Sequence, residues 1–139
     1  MSRATADPDI ELAFVVLSAT LSDAQLAARL GDPDEARGAK QLKHRRFSVW
    51  QLSERAHGSS AIAETMARLI GRALERSEML DDLRREPGAV SQVNVWLWAE
   101  VDQEGCGFTV TPEFAADLAR LGASLQVRVW GWDEDSRSP

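Results

Sequence analysis

The chain reads as an α+β fold: a four-stranded, mainly antiparallel sheet with about three helices packed on one face, in the order β-α-β-α-β-α-β. Three observations predict it. Apolar residues alternate with a period of two in four separate runs. Between these runs lie segments whose apolar residues recur at spacings of three and four. Cap residues and glycine or proline stops bound those segments. Strands with one apolar face suit a sheet covered by helices on one side, so a ferredoxin-like or related open sandwich is the most economical packing.

The first run, "IELAFVVLSA" (10–19), alternates Ile10, Leu12, Phe14 and Val16 against Glu11, Ala13, Val15 and Leu17. Both sides are largely apolar, as in a strand covered on two faces. "LSDAQLAARLG" (21–31) then opens a helix. Ser22 and Gln25 have the spacing of a capping box, Leu21 and Leu26 that of a hydrophobic staple, and Gly31 ends the segment. "RRFSVWQLS" (45–53) is a second strand, with Phe47 and Val49 alternating against Trp50 and Leu52. After "AHGSS", Ser59 or Ser60 can cap a long helix whose stripe is Ile62, Met66, Leu69, Ile70 and Ala73, continued by Leu80 and Leu83. The polar interval "ERSE" predicts a kink or a second short helix there, and "EPG" at 86–88 stops it.

"VSQVNVWLWAEV" (90–101) is the clearest strand. Val93, Val95, Leu97 and Ala99 face one way, and Asn94, Trp96, Trp98 and Glu100 the other. After a turn at "DQEGCG" and a short extended "FTV", Thr111 caps a helix with Pro112 at its first position. Phe114, Leu118 and Leu121 mark its buried stripe, and Gly122 closes it. The last strand, "ASLQVRVWGW" (123–132), sends Leu125, Val127 and Val129 inward and Gln126, Arg128, Trp130 and Trp132 outward. A single domain over 10–132 is expected, with flexible ends at 1–9 and 133–139.

Composition bounds the function classes. A chain of 139 residues buries enough surface to fold without a metal or disulfide, and a single cysteine makes no intramolecular disulfide. The net charge of −6 argues against binding nucleic acid through its phosphates. No signal segment or bilayer-length apolar run is seen, so a cytoplasmic protein that does not engage the membrane is expected.

The unusual feature is the distribution of five tryptophans in a chain without tyrosine. With these strand registers, Trp50, Trp96, Trp98, Trp130 and Trp132 lie on the face away from the helices, beside Asn94, Glu100, Gln126 and Arg128. Apolar rings among hydrogen-bonding groups are the material of ligand pockets and protein interfaces. The competing reading is that the 31–46 loop, a terminus or a second copy covers the rings and makes them core.

Other candidates are weaker. "RGAKQLKHRRF" gathers Arg37, Lys40, Lys43, His44, Arg45 and Arg46; it can seat an anionic group or act as a solvated basic loop. Glu100, Asp102 and Glu104 lack the ligand ladder of a calcium loop. Cys106 lies between glycines with neither His44 nor His57 tied to it, and this set does not make a zinc site. No phosphate-cradling glycine pattern is present, so neither a cofactor nor an enzymatic activity is expected.

The segments "GDPDEARG", "FSVWQLS" and "VNVWLWAEVDQEGCGFTVTPEFAADLARLGASLQVRVW" resemble the uncharacterised bacterial family catalogued as domain of unknown function 4279. With the opening strand, the resemblance covers most of residues 10–132. It implies a small stand-alone bacterial α+β domain and carries no catalytic residues over. The function expected is a non-enzymatic binding domain that engages a protein partner, or a second copy, through the tryptophan face. One version is an immunity-type inhibitor, an acidic domain that occludes a basic toxin. The alternative is a small-ligand binder with tryptophan walls and Arg45, Arg46 or Arg128 reading an anionic group.

Overall fold

A computed structural model describes residues 9–34, 47–57, 62–101 and 109–131. Its elements are β1 (Asp9–Ser18), α1 (Asp23–Leu30), β2 (Ser48–His57), α2 (Ile62–Leu74), α3 (Ser77–Arg84), β3 (Gln92–Val101), α4 (Pro112–Leu121) and β4 (Ser124–Gly131). The α+β class holds. The four strands form one sheet in the order β2-β1-β3-β4. β1 is antiparallel to both β2 and β3, while β4 runs parallel to β3. β2 and β3 are therefore parallel to each other with β1 between them, a split arrangement that requires the long helical connection they have.

The doubly apolar β1 lies inside the sheet, as its sequence predicts. Ile10, Leu12, Phe14 and Val16 join the main core with Leu26 and Leu30 of α1, the α2 stripe from Ile62 to Ala73, Leu80 and Leu83 of α3, and Leu121 of α4. Ala13, Val15 and Leu17 form a second cluster on the opposite face, to which no helix among the described residues contributes. The helices thus occupy one side of the sheet. Four are present among the described residues rather than about three, because the segment after α2 breaks at Glu75–Arg76. Arg76 sits at the break with its guanidinium donating to the Leu30 and Arg72 carbonyls, at 3.0 and 2.9 Å. It closes the last turns of two helices at once.

Local chemistry sets the helix ends. The Ser22 hydroxyl accepts from the Gln25 N–H at 3.1 Å and the Gln25 carboxamide accepts from the Ser22 N–H at 2.8 Å, a complete capping box. Thr111 accepts from the Phe114 N–H at 3.1 Å, with Pro112 in the first turn. Gly122 is left-handed at φ 65°; its N–H bonds the Ala119 carbonyl and the Ala123 N–H bonds Leu118, a Schellman close. The proposed caps Ser59 and Ser60 lie outside the described residues.

The β2 edge of the sheet is sealed by two aspartates. Asp23 accepts from the Val49 N–H at 3.0 Å. Asp34 accepts from the Ser53 N–H at 2.8 Å, and its own N–H donates to the Gln51 carbonyl at 2.8 Å. Arg72 of α2 then bridges Asp34 and Glu54, at 2.9 Å to each. Its hydrogen bond holds the Asp34 carboxyl below the usual carboxylate range, against the opposing effect of partial burial.

Two expectations of side-chain placement are corrected. Trp50 is in the main core, 1% exposed, not on the face away from the helices. It pairs with Val16 of β1, which fixes it on the helix side. Val127 has the inward parity expected for it, opposite Leu97, yet is 52% exposed. The edge position of β4 leaves that residue without full cover.

Candidate functional site

The sheet face away from the helices is organised in rows. Across β2, β1, β3 and β4, one row is Arg55, Glu11, Trp98 and Arg128; the next is Ser53, Ala13, Trp96 and Gln126; a third is Gln51, Val15, Asn94 and Ser124. Alternation along β3 places both indoles on this side, two residues apart, as the sequence predicts.

The rings of Trp96 and Trp98 are stacked, with centroids 5.3 Å apart and planes within 9°. The Arg128 guanidinium carbon lies 5.9 Å from the Trp96 centroid, close enough for a cation–π contact. Trp96, Trp98, Phe47 and Val49 pack against Ala13, Val15 and Leu17. The small side chain of Ala13 lies directly opposite Trp96, leaving depth for the ring to bed down. The bases of the rings are therefore apolar and buried, while Gln126 and Arg128 beside them are exposed.

The polar groups on this face are deeply set. Gln51 is 1% exposed and Asn94 4%. The Gln51 Nε2 donates to the Ser53 hydroxyl at 2.7 Å, and the Asn94 Nδ2 to the Gln92 side chain at 3.3 Å. Three buried atoms of the face have no hydrogen-bond partner: Trp96 Nε1, Gln51 Oε1 and Glu11 Oε2. These atoms are shielded from solvent, and leaving such an atom unpaired costs about 1–3 kcal/mol. The described face thus combines stacked rings, the guanidinium groups of Arg55 and Arg128 and a few directional hydrogen-bonding groups.

Of the expected site residues, Trp96, Trp98 and Arg128 come together. Trp50 does not; it lies on the far side of the sheet, its Nε1 donating to the Gly31 carbonyl at 2.8 Å and its ring edge-on to Phe14. Trp130 is placed opposite Glu100 by its backbone, and its side chain lies outside what is described. Trp132, Arg45, Arg46 and Cys106 also lie outside the described residues. The sequence reading missed Gln51 and Glu11, whose signal was their parity with Ala13 and Val15 once the β1–β2 register is known.

It also missed a groove of about 280 Å³ between α2 and α4. Met66, Ile70 and Phe114 supply apolar surface, and Glu113 and Asp117 also line it. The sequence signal was the run of small residues Ala63, Ala67 and Gly71, four apart on α2. Among the described residues, no group of three or more histidine, cysteine, aspartate or glutamate side chains comes together to hold a metal, and no helix is long and apolar enough to cross a membrane. No family model, curated protein or solved structure matches the chain.

Proposed function

We propose that this protein is a non-enzymatic interaction domain whose helix-free sheet face binds a protein partner. The observation that carries the reading is the Trp96–Trp98 stack, half-buried over an apolar bed, with Arg128 against it and the Trp96 Nε1 buried without a partner. Tryptophan and arginine dominate binding hot spots because they combine a large desolvated surface with directional donors. An acidic chain with net charge −6 suits a basic partner, and the immunity-type version of this reading has that complementarity.

Alanine at Trp98 and at Arg128 provides the test. Each variant is expected to keep the circular dichroism spectrum of the parent protein. Each is also expected to lose a partner that the parent captures stoichiometrically from its own cells. A Met79→Lys control on the exposed side of α3 retains that partner. Equal capture by the parent and both face variants would remove the reading.

A second reading, a small-ligand site, is favoured by the half-buried Trp96–Trp98 stack with the exposed Arg128 beside it, which can hold a ring and an anionic group. Saturable quenching of tryptophan emission by a small molecule, abolished in Trp96→Ala, would select it over a protein partner.

A further inference from the structure

The two edges of the sheet are treated differently. Along β2, the Val49 N–H is engaged by Asp23, the Gln51 carbonyl by the Asp34 N–H and the Ser53 N–H by the Asp34 carboxylate. The Arg72 guanidinium, 3.4 Å away, also reaches the Ser53 carbonyl. Such cover is how proteins keep an edge from templating a new strand. Along β4, by contrast, no group among the described residues bonds the strand outside its ladder with β3. β4 is eight residues long and contains no proline. It also carries the exposed Val127, an apolar residue at the rim of the helix side of the sheet.

We propose that the β4 edge pairs antiparallel with β4 of a second copy of the chain, joining two sheets into one of eight strands about a two-fold axis. The register is set by charge and shape. With Val127 opposite the partner's Val127, the two exposed valines face each other across the new ladder. Gln126 then stands opposite the partner's Arg128, so its carboxamide oxygen can accept from the guanidinium. Sliding the axis to residue 128 would instead oppose Arg128 to the partner's Arg128, a repulsive pairing, and sliding it to residue 126 would oppose Gln126 to Gln126 and lose both the valine contact and the Gln126–Arg128 pairing. A strand that is self-complementary about Val127 suits a second copy of itself, as an isologous two-fold contact demands.

The pairing also has a geometric consequence. It sets the two Trp96–Trp98–Arg128 clusters on one continuous face, on either side of the axis. The inference does not depend on what that face binds, because the edge and the face are different surfaces.

Sedimentation velocity over a range of protein concentrations reads the proposal. The parent chain is expected to show a reversible monomer–dimer equilibrium. Val127→Lys, which places two ammonium groups opposite each other at an exposed position, is expected to lose the dimer while keeping the parent's thermal midpoint at concentrations where the parent is also monomeric. Val127→Thr retains the dimer, since a β-branched side chain still packs across the axis. Amide hydrogen exchange of residues 124–130 is expected to slow with concentration in the parent protein and in Val127→Thr but not in Val127→Lys. A parent chain that stays monomeric throughout overturns the proposal, as does a dimer that survives Val127→Lys. A dimer lost in Trp98→Ala but kept in Val127→Lys would also overturn it, and would assign self-association to the indole face instead.

Discussion

The indole N–H of Trp50 donates to the carbonyl oxygen of Gly31 over 2.8 Å, tying the first part of β2 to the end of α1. The same ring lies edge-on to Phe14 and beneath the Arg76 guanidinium, whose carbon is 5.5 Å from its centroid. Trp50 is thus a structural tryptophan, whereas Trp96 and Trp98 remain half-buried on the opposite face. Trp50→Ala is expected to destabilise the protein by about 3–5 kcal/mol, the cost of emptying a large core site. Trp50→Phe, which keeps most of the volume and removes the donor, is expected to cost nearer 1 kcal/mol. Trp98→Ala should also fall near 1 kcal/mol. Urea denaturation midpoints for the three variants check this order.

Asp34 gives the protein a specific acid sensitivity. Its folded pKa is depressed, first by the Arg72 hydrogen bond, so the unfolded chain binds a proton more readily than the folded one. The stabilisation is therefore fully present above the ordinary carboxylate pKa and is lost as pH falls through the lower folded value. The expected signature is a parent protein more stable than Asp34→Asn at neutral pH, with the two urea midpoints converging below about pH 4. A gap between them that stays constant across the acid range would contradict the assignment.

At Gly122 two costs can be separated. The position is left-handed at φ +65°, and a Cβ placed there would stand 2.6 Å from the Arg84 Nη2. Gly122→Ala is expected to cost roughly 1–2 kcal/mol for the backbone conformation alone, with displacement of Arg84 added to it. In an Arg84→Ala background the steric part disappears and the backbone part stays. Chemical denaturation of the four proteins of that cycle measures the coupling.

The Thr111 cap predicts a graded series. Thr111→Ala removes the acceptor for the Phe114 N–H and is expected to lower stability by about 1 kcal/mol, while Thr111→Ser keeps the oxygen and most of the stability. Thermal melts of the pair provide the comparison.

The sequence alone determined what depends on neighbours a few residues away. The Ser22–Gln25 capping box, the Thr111–Pro112 helix start and the left-handed Gly122 are contacts within one turn of chain, so residue type and spacing specify them. Strict alternation along β3 likewise sent Val93, Val95 and Leu97 to the helices and Trp96 and Trp98 to the other side. Around Trp50 that logic had no purchase, because β2 is apolar on both faces there: Phe47 and Val49 on one, Trp50 and Leu52 on the other. Only the pairing of Trp50 with Val16 decides which set meets the helices. The sealing of the β2 edge by Asp23 and Asp34, the groove between α2 and α4, and the exposure of Val127 likewise belong to tertiary structure. Each arises between segments far apart in sequence, or from a strand's place at the sheet rim, and neither distance nor rim position is written in a local pattern.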